Sequence, residues 1–595
     1  MTGVRNVIMF CRNLCSVENA MRIYKKWGAA AVERIREDPY RLCREFSGIG
    51  FKRADEIALS LGIAPDAPRR LEAGVRYTLD NLIRQTSNTL ISKDELVSAL
   101  VGTLGVDDKA AQNAIALSVT NGATAMLTRG GVMYFTTERV DRAERYSAMK
   151  LALLDRKCAS VQTADTVKLI QKCENEAGIK YAPLQKEAIY SALTAGVSVI
   201  TGGPGTGKTT VVRALISIFH SLGLRCALAA PTGRAAKRMS EATSCEAATI
   251  HRMLEMEYSG DDENASFLRD DKNLLAEDAF IIDEASMIDA MLFEALLRAV
   301  KPGARMVFIG DADQLPPVGA GNVLADVISS DAFPVVRLNQ IFRQSEESAI
   351  VTNAHRINCG EMPDVSRKNS DFFFLRRQSD AASAAAIREL ISERLPRAYG
   401  KSFAESVQVI TPSRKGVCGT EELNRTLQAL LNPPSPEKAE RTFGERVIRE
   451  GDRVMQTKNN YEIEWEKNGA EGRGVFNGDI GTVLSIDFES SSMTISFDER
   501  VCEYDFAWTD DLDHAYAITV HKSQGSEYAA VIVPLYRCAP MLLTRNLLYT
   551  AITRAEKMVI LVGSEDVLAQ MVATERKTER RTALADHIRE ATNGK

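Results

Sequence analysis

The chain has 595 residues, of which 45% are hydrophobic and 26% charged, a composition typical of a globular protein with about four domains. No apolar run approaches the ~20 residues that cross a bilayer, and the N-terminus lacks a signal-peptide pattern, so we expect a cytoplasmic location and no membrane partner. The net charge of −5 does not exclude a polyanionic partner, because residues 1–70 carry 13 Lys and Arg against 8 Asp and Glu, and phosphates are bound by local basic patches.

The first 70 residues are predicted to form short helices joined by turns. The sharpest piece is FSGIGFKRADEIA at 46–58, where Gly48 and Gly50 permit a tight turn ahead of a helix. Such a turn directs backbone N–H groups at a phosphate, and Lys52 lies beside it. The segment resembles a helix-hairpin-helix, so we predict that residues 1–70 bind the DNA backbone. An ordinary turn between two helices is the alternative.

Residues 71–170 are predicted to be helical, with one β hairpin that includes GGVMYFTT at 130–137. Three helices and a hairpin suit a winged-helix-like region. A spacer that packs against the rest of the chain is the alternative, and the sequence does not decide between the two.

From residue 171 onward, short apolar strands alternate with helices, the pattern of parallel sheets covered on both faces. One α/β domain is predicted over 171–337, and a second over 338–442 and 515–570. Short alternating runs between Gly and Asp turns predict a small β-barrel inserted at 443–514. Residues 571–595 read as a charged, solvated tail, with contact to DNA or a partner as the alternative.

A phosphate-binding loop is predicted at 202–210, where GGPGTGKTT follows a strand and precedes a helical run. Its glycines let backbone N–H groups turn toward phosphate oxygens, and the helix N-terminus adds partial positive charge. Lys208 would reach the β and γ phosphates of ATP, and Thr209 would bind Mg²⁺. The predicted nucleotide contacts in this loop are Gly203, Pro204, Gly205, Thr206, Gly207, Lys208, Thr209 and Thr210.

Two acids follow the buried strand of FIIDEAS at 280–286, at the edge where open α/β sheets bind ligands. Asp283 is expected to hold Mg²⁺ through water, and Glu284 to act as general base on the attacking water. Upstream of the first strand, Gln185 could read the adenine edge with its amide, although a surface glutamine is the alternative.

Three further side chains point to a motor in which ATP hydrolysis is coupled to domain closure. Gln314, in GDADQLPPV at 310–318, is placed to sense the γ phosphate. Arg343 and Arg554 come from the second α/β domain, and a guanidinium supplied across a cleft stabilises the transferring phosphoryl group only when the cleft closes. We therefore predict Lys208, Glu284, Gln314, Arg343 and Arg554 as catalytic residues.

The ordered motifs resemble those of superfamily 1 helicases, and in detail the RecD-like branch that includes 5′ to 3′ DNA helicases. They are the phosphate-binding loop, DEAS, GDADQLPPV, IFRQ, VHKSQGSE at 520–527 and YTAITRA at 549–555, and they cover roughly residues 175–565. The resemblance implies two RecA-like P-loop NTPase domains with parallel sheets, an α-helical N-terminal region and a Src-homology-3-like barrel. It also implies an ATP- and Mg²⁺-dependent DNA helicase of repair or recombination.

The expected partners are single-stranded DNA and duplex junctions, with a recombination or single-strand-binding protein as a further partner. The types of residue implied at the strand are hydroxyls and cations that grip phosphates, and histidines that stack on bases. The first domain would supply Thr232, Gly233, Arg234, Thr249 and His251, and the second would supply Thr411, Ser413, Arg414, Thr519, His521, Lys522 and Ser523. Glu527 would bind the ribose of the nucleotide.

The insert at 256–275 matches the position of the family's strand-separating hairpin, but it is acidic and offers only Phe267 as an aromatic wedge. Relatives commonly carry a further N-terminal segment, so we expect a short or truncated member. Two other functions stay open. One is an RNA-directed superfamily 1 motor, and the other is an ATP-switched DNA-binding subunit of a recombination complex.

Overall fold

The structure is a computed structural model that describes residue 9 and residues 17–46, 49–257, 266–340, 348–366, 370–575 and 580–593. Two predicted functional residues, Gly48 and Arg343, lie outside the described residues, as does the acidic centre of the predicted hairpin insert. Within the described ranges, no helix is long and apolar enough to cross a membrane.

The N-terminal region is a cluster of helices with its own core, in which the ring of Trp27 meets Phe46 edge to face at 4.8 Å. Gly50 precedes the fourth helix with a φ of −72°, which any residue can adopt, so the predicted need for glycine does not hold there. The helices are α1 (Val17–Trp27), α2 (Ala31–Glu37), α3 (Arg41–Glu45), α4 (Phe51–Ser60) and α5 (Pro68–Thr86).

The next region combines helices with a small antiparallel sheet in the order β1-β3-β2, which contains the predicted hairpin. Its elements are β1 (Ile91–Ser92), α6 (Lys93–Leu104), α7 (Asp108–Thr120), β2 (Thr124–Arg129), β3 (Val132–Thr137), α8 (Glu138–Lys157) and α9 (Thr163–Ala177). Helix α8 leaves this region to pack on the next domain, where Leu151 and Leu154 are fully buried.

The first α/β domain is built on a six-stranded parallel sheet in the order β11-β4-β10-β9-β5-β6. Its strands are almost entirely apolar because helices cover both faces. The elements are α10 (Pro183–Thr194), β4 (Val197–Gly202), α11 (Lys208–Ser221), β5 (Cys226–Ala230), α12 (Gly233–Thr243), β6 (Ala247–Thr249), α13 (Ile250–Met253), β7 (Met256–Glu257), β8 (Ser266–Phe267), β9 (Ala279–Ile282), α14 (Ala290–Ala299), β10 (Arg305–Gly310), α15 (Val323–Ser329) and β11 (Val335–Leu338).

The second α/β domain has a five-stranded parallel sheet in the order β12-β25-β24-β13-β23. Its elements are α16 (Ala349–Asn358), β12 (Phe372–Arg376), α17 (Asp380–Glu389), α18 (Leu395–Tyr399), α19 (Lys401–Glu405), β13 (Val407–Thr411), α20 (Thr420–Leu431), β23 (Ala517–Thr519), β24 (Tyr528–Leu535), α21 (Arg545–Ile552), β25 (Ala555–Gly563) and α22 (Glu565–Ala573).

A seven-stranded antiparallel, barrel-like sheet interrupts the second domain, with strand order β18-β17-β21-β20-β19-β16-β22, and we call it the barrel. A separate hairpin, β14 (Glu440–Phe443) with β15 (Arg446–Arg449), precedes it. The barrel strands are β16 (Arg453–Gln456), β17 (Asn460–Lys467), β18 (Ala470–Val475), β19 (Ile480–Asp487), β20 (Ser492–Phe497), β21 (Arg500–Asp505) and β22 (Leu512–His514). Two parallel sheets, a helical N-terminus and an inserted barrel confirm the predicted fold class.

Residues 580–593 do not form the solvated tail that the mixed charges predicted. They end in helix α23 (Leu584–Asn593), which packs against α8 and covers one face of the first domain's sheet. Leu584 and Ile588, four residues apart on one helical face, are buried there. The chain therefore leaves the second domain after α22 and returns to the first.

Candidate active site and nucleic-acid interface

The phosphate-binding loop joins β4 to α11 with two residues in the left-handed backbone region, Gly205 at φ +72° and Gly207 at φ +81°. Helix α11 begins without a side-chain cap, so its first N–H groups remain available to an anion. The Lys208 Nζ donates hydrogen bonds to the carbonyl oxygens of Gly202 and Gly203 at 2.5 and 3.0 Å. Lys208 is thus folded over the loop in which a phosphate would lie.

The two acids lie immediately after β9, on the same edge of the sheet as the phosphate-binding loop. Glu284 is buried and has a φ of +50°, a conformation that a residue with a Cβ adopts at a cost. Burial opposes its ionisation, but the positive charges of Arg554, Arg238 and Lys208 outweigh burial and lower the pKa of Glu284. A carboxylate kept ionised in a buried site is what a general base on water requires.

Asp283 has the opposite tendency, because burial and the neighbouring charge of Glu284 raise its pKa. Its Oδ1 accepts a hydrogen bond from the Glu284 backbone N–H at 2.8 Å. The Thr209 side chain is exposed in the first turn of α11. Among the described residues, no three His, Cys, Asp or Glu side chains are arranged to hold a metal. The hard oxygen donors of Thr209 and Asp283 fit Mg²⁺, which typically takes one or two protein ligands together with phosphates and waters.

Arg554 reaches the acids from the second domain. It follows α21, is only 2% exposed, and donates from Nη2 to the Gln314 Oε1 at 2.8 Å. Its Nη1 lies 4.0 Å from the Glu284 Oε1, and backbone carbonyls of Thr550 and Ser526 accept its other hydrogen bonds at 3.2 and 3.3 Å. The structure therefore brings together Gln314, Glu284 and Arg554, as the sequence predicted, while Arg343 lies outside the described residues.

A second bond between the domains lies beside the first. The hydroxyl of Tyr549 donates to the Asp311 Oδ2 at 2.8 Å, and both residues are buried. The same hydroxyl lies so close to Gly203 that a Cβ there would come within 2.7 Å of it. The Leu315 N–H donates across the cleft to the Thr550 hydroxyl at 3.1 Å. The second domain thus contacts both the phosphate-binding loop and residues 311–315, the segment after β10 that carries Gln314.

Two other predicted nucleotide contacts are engaged within the protein. The Gln185 Oε1 accepts from the Ala182 N–H at 3.0 Å, and its Nε2 donates to the Gly207 carbonyl at 3.5 Å. Gln185 is therefore buried against the phosphate-binding loop and is not a free surface amide. Glu527 is exposed and paired with Arg238, which also donates to Glu284 at 3.3 Å.

The predicted strand contacts of the first domain lie on one surface, next to the barrel. Thr232 and Thr249 cap α12 and α13, their hydroxyls accepting from Ala235 and Arg252 N–H groups at 3.2 and 3.0 Å. Gly233 lies against Phe476 of the barrel, 3.4 Å from where a Cβ would stand. Arg234 lies over the Tyr528 ring at 5.5 Å, and His251 is half-buried against Phe267 at 6.0 Å. Phe267 is therefore not an exposed wedge.

A cleft of about 230 Å³ opens between this surface and the barrel. Aromatic rings and cations line it, among them Arg234, Lys237, Trp465, Phe476 and Arg500. Aromatic faces and cations are the groups that bind successive bases and phosphates of a single strand.

Two of the predicted strand contacts of the second domain have side chains that do not reach the surface. Thr411 and Ser523 are fully buried, and their hydroxyls donate to the backbone oxygens of Cys418 at 2.7 Å and Val520 at 2.8 Å. The others remain at the surface in whole or in part: Ser413, Arg414, Thr519, His521 and Lys522. Lys522 donates to the Thr457 carbonyl and the Asn477 side chain of the barrel at 3.1 and 2.8 Å. In the N-terminal region Lys52 is exposed on α4.

Three residues of the site were missed in the sequence: Arg238, Asp311 and Tyr549. Asp311 and Tyr549 stand inside motifs that the sequence singled out, GDADQLPPV and YTAITRA, so position in a motif was the available signal. Arg238 stands outside such a motif, on the face of α12 that turns toward the acids.

The amino-acid sequence of the chain is similar to those of known proteins. One relative, the ATP-dependent RecD2 DNA helicase of Deinococcus radiodurans, is 34% identical over 587 residues, covering 96% of this chain and 76% of that protein. This chain belongs to the RecD2 family of ATP-dependent DNA helicases. The RecBCD enzyme subunit RecD of Mycobacterium tuberculosis is 32% identical over 434 residues, covering 65% of this chain and 70% of that protein.

Four family descriptions match successive parts of the chain. They are the ATP-dependent RecD2 DNA helicase HHH domain at 1–90, an AAA domain at 180–387, the ATP-dependent RecD-like DNA helicase SH3 domain at 423–497 and the UvrD-like helicase C-terminal domain at 514–562. The family predicted from the sequence is confirmed.

Solved structures of Pif1 helicases are also similar. The Bacteroides protein in complex with ADP-AlF3 and single-stranded DNA is 19% identical, with a TM-score of 0.38, covering 70% of this chain and 95% of that one. The Candida albicans protein is 17% identical with a TM-score of 0.40, covering 67% and 98%.

Proposed function

We propose that this ATP-dependent DNA helicase translocates 5′ to 3′ along single-stranded DNA and works in repair or recombination. The observation that supports motor activity is the position of Arg554, which contacts Gln314 and Glu284 from the opposite domain. An arginine so placed links hydrolysis to closure of the cleft. The polarity and the repair role rest on family membership.

Each residue of the site has a proposed role. Glu284, kept ionised by the surrounding cations, orients and deprotonates the attacking water. Lys208 gives up its hydrogen bonds to the loop carbonyls and donates to the β and γ phosphates. Arg554 stabilises the negative charge that develops between these phosphates. Mg²⁺, held by Thr209 and Asp283, would neutralise phosphate charge. Gln314 reports to Arg554 whether the γ phosphate is present.

The proposed strand path crosses the surface formed by α12, α13 and the barrel. Thr232 and Thr249 align two helix N-termini there, and a helix N-terminus attracts phosphate. Trp465 and Phe476 would offer faces to the bases. In the second domain, Thr411 and Ser523 would hold the backbone beneath the predicted strand contacts, since their hydroxyls donate to the Cys418 and Val520 carbonyls.

A strand-displacement assay on forked DNA tests the proposal. Unwinding should require ATP, Mg²⁺ and a 5′ single-stranded tail. Lys208→Ala and Glu284→Gln should each lower ATP turnover by at least about 10³-fold. Lys301→Ala, which breaks a pair with Asp278 on the sheet's opposite edge, is the matched control and should keep full turnover.

The alternatives predict different results. Unwinding only from a 3′ tail would contradict the polarity, and stimulation of ATP turnover by RNA but not by DNA would favour the RNA motor. Tight ATP binding without turnover in the unaltered protein would favour the ATP-switched subunit.

A further inference from the structure

The last 14 described residues belong by packing to the first domain and the N-terminal region, although they follow the second domain in the chain. The Arg581 backbone N–H donates to the Asn88 side chain at 3.0 Å, and its carbonyl accepts from Thr89 and Leu90 N–H groups at 3.0 and 2.9 Å. Thr582 donates to Asp326 at 2.7 Å. We call residues 580–593 the C-terminal strap.

Arg580, at the start of the strap, forms hydrogen bonds to a single loop of the first domain. Its Nη1 donates to the carbonyls of Gly319 and Gly321 at 2.6 and 2.7 Å, and its Nη2 donates to that of Pro317 at 2.5 Å. Three alternate carbonyls of one irregular segment therefore converge on one guanidinium. Burial lowers the pKa of Arg580 to about 10, against the opposing negative charges of Asp289 and Asp326.

This segment, which we call the 316–321 loop, begins two residues after Gln314, the predicted sensor of the γ phosphate. Gln314 is bonded to Arg554, and the next residue, Leu315, accepts a hydrogen bond from the Gln524 Nε2 at 3.2 Å. Gln524 lies within VHKSQGSE, the motif that also carries His521 and Lys522. The loop thus begins where the ATP site meets the segment placed at the strand.

Besides the three bonds from Arg580, the 316–321 loop is held by Ser87 and by the Ala290 N–H, which donates to the Ala320 carbonyl at 2.9 Å. Ser87 donates its hydroxyl to the Val318 carbonyl at 3.1 Å and accepts from the Gly321 N–H at 3.0 Å. The Val318 side chain is 74% exposed and supplies no core contact. A loop with neither helix nor strand relies on such bonds to adopt one conformation.

We propose that Arg580 is a positioning residue for the helicase reaction. Its guanidinium fixes the 316–321 loop, and through the loop it fixes Gln314 and Leu315, so that strand binding is transmitted to the ATP site. The inference rests on the proposed coupling of DNA binding to ATP turnover. It gives the C-terminal strap a role in the motor beyond filling the surface of the first domain.

The test compares Arg580→Ala with Arg581→Ala, a neighbour on the same strap whose guanidinium pairs with the half-exposed Glu95. ATP turnover is measured with and without saturating oligothymidylate, together with KM for ATP and thermal unfolding. Arg580→Ala should lower the DNA-stimulated kcat about tenfold and leave the DNA-free rate and KM within about twofold. A few millimolar guanidinium ion should restore part of the stimulated rate, and Arg581→Ala should behave as the unaltered protein.

A second variant, Arg580→Lys, keeps the charge but loses the planar fork of donors, and it should fold normally and show an intermediate loss. Equal stimulated rates for Arg580→Ala and Arg581→Ala would overturn the inference. So would a proportional fall in both the DNA-free and the stimulated rate of Arg580→Ala, or a stimulated rate that guanidinium leaves unchanged. If the unaltered protein shows no stimulation by DNA, the proposed coupling itself fails.

Discussion

Tyr549→Phe removes one hydroxyl and with it one of the hydrogen bonds that join the second domain to residues 311–315, which follow β10. That hydroxyl donates to the Asp311 carboxyl at 2.8 Å, between residues that are 2% and 1% exposed. A buried hydrogen bond to a charged group contributes about 1.5–3 kcal/mol. At about 1.4 kcal/mol per factor of ten, closure of the cleft should weaken by roughly 10- to 150-fold.

The assay is ATP turnover at saturating single-stranded DNA, where kcat/KM for ATP should fall by the same factor, about 10- to 150-fold. Tyr40→Phe is the matched control, because its hydroxyl donates to the buried Asp55 at 2.7 Å within the N-terminal helices and away from the cleft. It should lose stability by a similar amount and keep kcat/KM within about twofold. Equal kcat/KM values for the two variants would refute the assignment of Tyr549 to cleft closure.

Three further outcomes are expected. Arg238→Gln removes a positive charge that helps to lower the pKa of Glu284, so the acid limb of the kcat–pH profile should move to higher pH, and an unmoved limb would contradict the pairing. Burial and the charge of Asp326 raise the pKa of Glu144 to about 8. Between about pH 4.5 and 8 the folded state keeps a proton on Glu144 that the unfolded state has lost. The free energy of unfolding should therefore fall as the pH rises through this range, by up to about 1.4 kcal/mol per pH unit. Glu144→Gln should flatten this slope, as measured by thermal unfolding. Gly525 has a φ of +72°, and a Cβ there would lie 2.4 Å from the Thr232 hydroxyl, so Gly525→Ala should lower DNA-stimulated turnover about tenfold, which a filter-binding and turnover comparison would check.

The sequence was sufficient for the parts of the site that local pattern determines. GGPGTGKTT placed Lys208 after a strand, and FIIDEAS placed Glu284 at the carboxyl edge of the same sheet, because parallel strands present their C-terminal ends together. The order of the motifs predicted that Gln314 and Arg554, which are 240 residues apart, both lie at the ATP site.

Other parts depend on contacts that leave no local trace. The pairing of Arg238 with Glu527 across 289 residues is fixed only when the domains meet. Thr411 ends a strand, and the sequence does not say whether its hydroxyl turns outward or back to its own backbone. The prediction of a solvated C-terminal tail failed for a different reason. Leu584 and Ile588 have the spacing of one helical face, but the charged residues around them masked this pattern.

The return of the chain to the first domain limits how far the two α/β domains can separate. Thr574 is anchored in the second domain, where its carbonyl accepts from the Arg545 N–H at 3.0 Å, and Arg580 is anchored in the first. Six peptide units join the two, and a fully extended chain of that length spans about 22 Å at most. While both anchors hold, the two domains can therefore separate at this edge only as far as this short connection reaches.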